Sequence, residues 1–264
     1  MATAALHVEV AGAGPALVLA HGFGGSARNW RPQVRALREE WCVVTCDLRG
    51  HARSPAPAEP AAYRLEAMAA DLAEVARGTD TPPPVIGGLS LGAALALHVA
   101  LAGTLELRGL VLASPPAGPE GPESGRGPSG RALAFADTIE AEGLERAGAR
   151  FVWGPESGLD PAGARLVRQG FLEHAPHALA HLLRELLARL PSVRELEPQL
   201  AQLQLPVLVV AGAADPASRS VARALAGALP GGQLVEIPGA GHVVNLAAPE
   251  AFNRALRRFL RSLG

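Results

Sequence analysis

Lysine is absent from this sequence of 264 residues, and all 24 basic residues are arginine. The absence excludes chemistry that needs a lysine Schiff base or a lysine general base. Acidic residues number 25, so the formal net charge is −1. A chain with so little net charge gives no electrostatic reason to expect binding to nucleic acid or to an anionic membrane.

Cysteine is scarce as well, since Cys42 and Cys46 are the two in the whole chain. They lie four positions apart in a stretch typical of a strand, roughly 13 Å from each other, which is too far for a disulfide. Buried thiols in a reducing compartment are therefore expected. No apolar run reaches the ~20 residues of a membrane span, and the N-terminus lacks the basic segment of a signal peptide. We therefore expect a cytoplasmic protein.

Hydrophobic residues are plentiful, at 48%, and they predict a sizeable core. Short apolar runs alternate with helical patterns, and several runs are apolar at every position, as in strands buried on both faces of a parallel sheet. The pattern predicts an α/β fold with a mostly parallel, doubly wound sheet. The predicted strands are Ala5–Val10, Ala16–Ala20, Trp41–Asp47, Pro84–Gly88, Arg108–Ala113, Leu205–Ala211 and Gln233–Ile237. The predicted helices beside them are Trp30–Glu39, Leu65–Arg77, Leu91–Ala102, Ala217–Leu229 and Pro249–Leu263.

The alternation stops at Ser114, where a stretch rich in proline and glycine begins. Three helical patterns without a neighbouring strand follow, over Ala132–Ala147, Pro161–Glu173 and Pro176–Leu190. The alternation then resumes. We predict a core formed by residues 1–114 and 201–264, with an inserted helical cap (lid) at 115–200.

A candidate nucleophile stands at the end of the fourth predicted strand, in Gly88-Leu-Ser90-Leu-Gly92. A helix begins at once, so the G-x-S-x-G pattern lies in a strand–turn–helix context. The glycines allow the strand and the helix to crowd together, and the strained turn exposes the serine hydroxyl. The Leu91 N–H lies at the helix N-terminus, where it can stabilise negative charge on a reaction intermediate.

A second glycine-rich segment, His21-Gly-Phe23-Gly-Gly25, follows the second predicted strand. Glycines let the backbone turn sharply and approach a ligand. The Phe23 N–H is therefore the candidate for a second oxyanion donor. His21 is expected to hold this loop in shape and to have no chemical role.

An acid and a base follow the last two strands, at Asp215 and His242. Both lie on loops at the carboxyl edge of the sheet, which is also the edge that carries Ser90. The chain order Ser, Asp, His suits this architecture. The other position for an acid, after the fifth strand, holds Ser114 and no carboxylate. We therefore predict Ser90, Asp215 and His242 as the catalytic residues.

Three further histidines of the insertion, His174, His177 and His181, could meet on one helix face. They have no carboxylate or cysteine at a matching spacing, so a metal site is not expected there. The chemistry of a serine, a histidine and an aspartate needs no metal and no cofactor, and none is predicted.

The chain resembles the α/β-hydrolase superfamily of serine hydrolases everywhere except in the insertion. The resemblance is carried by His21-Gly-Phe-Gly-Gly-Ser26, Asp47-Leu-Arg-Gly-His51-Ala-Arg-Ser54, Gly87-Gly-Leu-Ser90-Leu-Gly92, Gly212-Ala-Ala-Asp215 and Gly239-Ala-Gly-His242. It implies a mostly parallel sheet of about eight strands under a helical cap, and it makes Asp47–Ser54 a structural turn. The Gly-Leu-Ser90 turn and the tail from His242 to Phe252 are similar to small bacterial carboxylesterases and enol-lactone hydrolases. Those relatives usually carry glutamate at the position of Ala247.

The leading expectation is hydrolysis of a carboxylic ester or lactone, with a small-molecule substrate and an oligomeric state that the sequence leaves open. One alternative is carbon–carbon cleavage or elimination, since the His174–Arg184 stretch is similar to the menaquinone-pathway synthase. That enzyme usually has a tyrosine before the serine and an arginine after it, where this chain has Leu89 and Ala93-Ala94. A slow-turnover binding protein with the same fold is the third possibility.

The insertion holds the residues that would distinguish these substrates. Its candidates for contacting a substrate carboxylate are Arg146, Arg150, Arg165, Arg168 and Arg184. Its candidates for lining the pocket, with core packing as the alternative, are Phe135, Phe151, Trp153 and Leu159.

Overall fold

The computed structural model describes residues 4–80, 83–116, 118, 128–154 and 161–264. Ten helices of this part of the chain are numbered in order: α1 Arg31–Leu37, α2 Leu65–Arg77, α3 Leu91–Ala102, α4 Pro128–Phe151, α5 Pro161–Leu172, α6 Pro176–Glu185, α7 Val193–Leu200, α8 Pro216–Ala228, α9 Val244–Ala247 and α10 Pro249–Ser262. Short 3₁₀ turns cover Ala27–Trp30, Pro60–Tyr63 and Leu187–Arg189.

Seven strands in the described residues form one sheet, in the order β1-β3-β2-β4-β5-β6-β7. They are β1 His7–Ala11, β2 Ala16–Ala20, β3 Cys42–Asp47, β4 Val85–Leu89, β5 Gly109–Ala113, β6 Val207–Gly212 and β7 Gly232–Ile237. Only the β1–β3 pair is antiparallel. The predicted mostly parallel α/β sheet is confirmed, with seven strands described where the resemblance implied about eight.

The continuous apolar strands have a core on each face of the sheet. In β2, Leu17 and Leu19 belong to one hydrophobic cluster, and Val18 and Ala20 belong to the other. The alternation follows from the two-residue period of a strand. Helices α1 and α10 cover the first face, and α2, α3 and α8 cover the second. Both faces therefore require apolar side chains, which explains why the sequence shows no polar alternation.

The described residues between β5 and β6 form helices α4 to α7 and one 3₁₀ turn, with no strand. Helix α4 packs on α6, α6 contacts the 3₁₀ turn at Pro60–Tyr63, and α7 packs on α8. Helix α4 is longer than its predicted range and is interrupted at Gly143, whose φ of 81° is outside the helical region. The predicted helix Pro176–Leu190 instead ends at Glu185, before a separate 3₁₀ turn. The division into core and cap stays a prediction.

Helix α7 is absent from the sequence-based prediction, although its start carries a recognisable signal. Ser192 is the N-cap, its hydroxyl accepts a hydrogen bond from the Glu195 N–H at 3.3 Å, and the Glu195 carboxylate accepts one from the Ser192 N–H at 2.7 Å. This reciprocal pair is a capping box. The helix has apolar residues at helical spacing, Val193, Leu196 and Leu200, but it is only eight residues long and contains Pro198, which disfavours a helix prediction.

Both cysteines lie on β3 and are free, as predicted. Cys46 is buried, and burial raises the pKa of its thiol to about 12. Cys42 is only half-buried, so the expectation of a buried thiol is wrong there. Among the described residues, no helix combines the length and apolarity needed to cross a membrane.

Candidate active site

Ser90 occupies a strained turn between β4 and α3. Its φ is 50° and its ψ is −112°, a backbone conformation that costs a residue other than glycine on the order of 1–3 kcal/mol. The turn is held in place because the Ser90 N–H donates to the Ala113 carbonyl at 2.8 Å. A Cβ at Gly88 would collide with the Gly92 backbone, and one at Gly92 would collide with the Ala20 carbonyl. Both glycines of the predicted pattern are therefore required by close backbone packing.

His242 lies between Ser90 and Asp215. Its Nε2 is 3.0 Å from the Ser90 Oγ, and its Nδ1 is 2.6 Å from the Asp215 Oδ2. Asp215 follows β6 and caps α8, while His242 lies on the loop after β7. The structure thus brings together the three predicted side chains from positions 90, 215 and 242. The Asp215 side chain is 15% exposed and that of His242 is 47% exposed, so solvent reaches the imidazole.

The surroundings of Asp215 favour its ionised form. Burial raises the pKa of this carboxyl, but hydrogen bonds from His242 and Ser218, together with the charge of His242, outweigh it and lower the pKa to about 2. The carboxylate is consequently negative at neutral pH. It can orient the imidazole and stabilise a positive charge on it.

Ser218 is a member of this cluster that the sequence analysis missed. Its Oγ lies 3.0 Å from the His242 Nδ1, and its N–H donates to the Asp215 Oδ1 at 3.3 Å. Ser218 is 4% exposed. The available signal was its position: it is the third residue of a helix capped by Asp215, where an N–H points back at the cap.

The two predicted oxyanion donors lie on segments adjoining Ser90. Leu91 is the first residue of α3. A Cβ at Gly22, the residue before Phe23, would stand 3.5 Å from the Ser90 Cβ, so this loop passes directly beside the serine. Within the described ranges, neither the Phe23 N–H nor the Leu91 N–H has a protein acceptor. Both donors are free to bind an oxygen of a ligand.

A sequence model described as "Alpha/beta hydrolase family" matches residues 17–255, nearly the whole chain. The chain belongs to the alpha/beta hydrolase family. One relative of this hydrolase, "Putative carbamate hydrolase RutD" of Pseudomonas syringae, is 32% identical over 253 residues, which are 93% of each chain. Another, "3-oxoadipate enol-lactonase 2" of Acinetobacter baylyi, is 24% identical over 261 residues, 94% of this chain and 89% of the relative.

Solved structures of the same fold cover the chain equally well. A thermophilic esterase from Thermogutta terrifontis superposes with a TM-score of 0.84 at 29% identity, over 98% of this chain and 93% of its own. MenH from S. aureus superposes with a TM-score of 0.88 at 22% identity, over 97% and 98% of the two chains. The latter likeness shows the fold alone.

Buried polar side chains hold the loop that follows β2 and passes beside Ser90. The His21 Nδ1 donates to the Gly22 carbonyl at 2.7 Å, and its Nε2 accepts from the Leu48 N–H at 2.9 Å. Burial lowers the pKa of His21 to about 4, so the ring is neutral. Asp47, also buried, accepts from the Ala27 N–H at 2.7 Å. These contacts agree with the structural roles expected for His21 and for the turn that begins at Asp47.

An aromatic cluster of the hydrolase surrounds Phe23. The insertion residues considered as pocket lining are Phe135, Phe151, Trp153 and Leu159, and the last of these lies outside the described residues. The ring centroids of Phe23 and Phe135 are 5.5 Å apart, and Phe135 stacks on Phe151 at 4.6 Å. Phe171, which the sequence analysis did not single out, lies 6.1 Å from Phe23 and 5.5 Å from Trp153. Inserted helices thus supply an apolar surface beside the loop that follows β2.

Three of the five arginines considered for a substrate carboxylate are paired with acids of the hydrolase itself. Arg184 donates to Asp137 at 2.6 Å and to Glu140 at 2.7 Å. Arg168 and Arg146 form ion pairs with other α4 carboxylates. In the part of the chain that the structure describes, no group of three or more His, Cys, Asp or Glu side chains is placed to hold a metal ion.

Proposed function

We propose that this hydrolase cleaves a carboxylic ester or lactone by nucleophilic catalysis through Ser90, with His242 as base and Asp215 as the orienting acid. One observation carries the proposal: a single imidazole spans a strained serine and an ionised aspartate, at 3.0 Å and 2.6 Å. Ser90 is placed to give its hydroxyl proton to the imidazole, and Asp215 is placed to orient that imidazole. As part of the same proposal, residues 115–200 form a cap on the core.

The reaction begins with attack of the Ser90 Oγ on the substrate carbonyl carbon. The His242 Nε2 removes the hydroxyl proton as the new C–O bond forms, and Asp215 stabilises the imidazolium. The imidazolium then protonates the leaving alkoxide, and the acyl group stays on the serine. Water, deprotonated by His242, attacks the acyl carbon, and the serine hydroxyl is restored as the carboxylic acid leaves.

Negative charge on the carbonyl oxygen is stabilised by the N–H groups of Phe23 and Leu91. Both belong to segments that adjoin Ser90, and neither has an acceptor among the described residues. Donors that meet the oxygen only in the tetrahedral state lower the barrier without tightening substrate binding. One such donor contributes about 3–4 kcal/mol.

A carbamate is the second candidate substrate, because a relative 32% identical over 93% of each chain is named as a putative carbamate hydrolase. A carbamate carbonyl offers the same site of attack and the same developing oxyanion. Elimination or carbon–carbon cleavage is less favoured, since three of the five arginines considered for a substrate carboxylate, Arg146, Arg168 and Arg184, are already engaged by carboxylates of the protein.

The test is a panel of p-nitrophenyl esters, lactones and carbamates, together with labelling by a fluorophosphonate probe. We expect the wild type to hydrolyse ester or lactone members and to be labelled once, at Ser90. Ser90→Ala should lose both properties, while Ser220→Ala, at an exposed serine of α8, should keep them. Labelling and normal turnover in Ser90→Ala would exclude Ser90 as the nucleophile. Turnover confined to carbamates would replace the ester proposal with the second candidate.

A further inference from the structure

The end of α5 rests on the loop that carries the Phe23 N–H. A Cβ at Gly24 would collide with the ring of Phe171, so the helix end and the loop are in direct contact. Two residues further on, Glu173 pairs with Arg28 at 3.3 Å. That pair is exposed and contributes little by itself. The contact shows that a segment far away in sequence closes over the loop beside Ser90.

His174 makes the polar bond of this contact. Its Nε2 lies 3.0 Å from the Gly25 carbonyl oxygen, and the side chain is buried. A carbonyl oxygen only accepts, so the Nε2 carries the proton and donates. Its Nδ1 is buried without a partner among the described residues. Burial lowers the pKa of His174, which is consistent with a neutral ring whose one proton is committed to Gly25.

A second imidazole holds the adjacent residue of the loop. The His51 Nε2 accepts from the Gly24 N–H at 3.1 Å, and its Nδ1 donates to the Arg49 carbonyl at 3.1 Å. The rings of His51 and His174 meet edge to face, with centroids 5.0 Å apart. The backbone at Gly24 and Gly25 is therefore fixed by two rings from different parts of the chain.

The direction of the Phe23 N–H depends on the Gly22 carbonyl, which accepts hydrogen bonds from the His21 Nδ1 at 2.7 Å and from the Gly25 N–H. The Gly25 N–H donates to the Gly22 carbonyl at 3.0 Å, which closes a tight turn. The Gly22 carbonyl and the Phe23 N–H belong to one planar peptide unit and point in opposite directions. His21 and Gly25 together thus fix the direction of the Phe23 N–H, and His174 holds Gly25 through its carbonyl.

We infer that His174 is a positioning residue for the oxyanion hole, supplied to the core by the inserted helices. The inference rests on the proposed function, in which the Phe23 N–H stabilises the oxyanion. It assigns the orientation of that N–H to His174, which lies just after the end of α5. Loss of the His174 donor would let the turn relax and misdirect the Phe23 N–H. Since that N–H acts on the tetrahedral state, kcat should fall while KM stays nearly constant.

The experiment compares His174→Leu with His174→Gln, because a glutamine amide can present an N–H near the position of the imidazole Nε2. We expect His174→Leu to lower kcat about tenfold or more, part of the 10²–10³ that a full donor contributes. His174→Gln should recover kcat to within about threefold of the wild type. His177→Leu is the matched control, because His177 also bonds a backbone carbonyl, that of Ala56, but outside this loop.

A measurement without turnover separates positioning from general destabilisation. A boronic acid that forms a tetrahedral adduct with Ser90 should bind His174→Leu about tenfold more weakly, while a product carboxylate binds equally well. The inference is wrong, and the role of His174 is only structural, if two results are found together. The first is that His174→Gln does not recover kcat; the second is that the boronic acid and the product carboxylate both bind more weakly as the melting temperature falls. If Ser90 is labelled in the wild type but His174→Leu keeps full kcat, only this inference fails. If the wild type is neither labelled nor active, the proposed function fails with it.

Discussion

The histidines near Ser90 form two sets, which differ in their exposure to solvent and in the group that their Nδ1 atom contacts. His242 is 47% exposed, and its Nδ1 faces the Asp215 carboxylate at 2.6 Å. His21 and His51 are fully buried, and their Nδ1 atoms face backbone carbonyls. A carboxylate favours a positive ring, whereas burial favours a neutral one and outweighs the opposite effect of a hydrogen bond to a carbonyl.

The comparison teaches that burial and the contacting groups together, and not the residue type, determine whether a histidine can take up a proton. Burial lowers the pKa of His21 to about 4 and that of His51 well below its usual range. Such rings do not take up a proton at neutral pH, so they serve as fixed donors and acceptors. In the proposed mechanism, the proton is therefore carried by the exposed ring of His242, which contacts a carboxylate.

Removing the carboxylate should have the largest effect on this contrast. Asp215→Asn keeps the size of the side chain but presents an amide to the imidazole, so the ring loses its orienting charge. We expect kcat to fall about 10⁴-fold on the best ester of the panel. Asp137→Asn, at an exposed carboxylate of α4, should leave kcat unchanged. A loss smaller than tenfold would mean that Asp215 does not serve as the acid.

The low pKa of the buried set should appear in the pH dependence of the free energy of unfolding. The pKa of His21 is about 4 in the folded chain and 6.5 as the reference value. The unfolded state therefore binds more protons between these limits, and stability is lost as pH falls from 6.5 to 4. The shift corresponds to roughly 3 kcal/mol of the free energy of unfolding.

Urea unfolding between pH 7.5 and pH 4 checks this expectation. His21→Asn should be less stable than the wild type at pH 7.5 but should lose less stability on acidification. The matched exposed variant, His177→Asn, should follow the wild-type curve. Parallel curves for His21→Asn and the wild type would show that His21 does not contribute to the pH dependence.

The smallest effect is expected at Ser218, which tests how finely the exposed ring is held. Ser218→Ala removes the hydroxyl 3.0 Å from the His242 Nδ1 but keeps the N–H that binds Asp215. A typical side-chain hydrogen bond contributes about 1 kcal/mol, so kcat should fall about fivefold. Steady-state kinetics measures kcat of Ser218→Ala, with Ser220→Ala as the control. Equal kcat values in the two variants would show that the Ser218 hydroxyl does not help to position His242.

The sequence predicts the sheet and the location of the proposed triad well, because both depend on local patterns. β2 is predicted at its observed bounds, since a strand covered on both faces must be apolar throughout. Asp215 and His242 could be placed because parallel strands end at one edge of the sheet. Ser90 was marked by glycines that close packing requires.

The contacts between distant segments could not be predicted. The hydrogen bond from His174 to Gly25 joins residues 149 positions apart, and neither segment has a sequence pattern that indicates a contact with the other. Sequence patterns placed His174 only on the predicted insertion. Ser218 was missed for a different reason: its role depends on the phase of α8 relative to its cap, and a helix start is poorly defined by sequence.

The pairing of β5 with β6 joins strands on either side of the inserted helices, from Ala113 to Val207. The entropy of closing such a loop grows only as the logarithm of its length, about 0.6 kcal/mol for each doubling. Evolution can therefore lengthen, shorten or replace the segment with little thermodynamic penalty to the sheet. Asp215 and His242 both lie beyond this junction, so a growing chain on the ribosome holds the serine long before it holds the residues that would activate it.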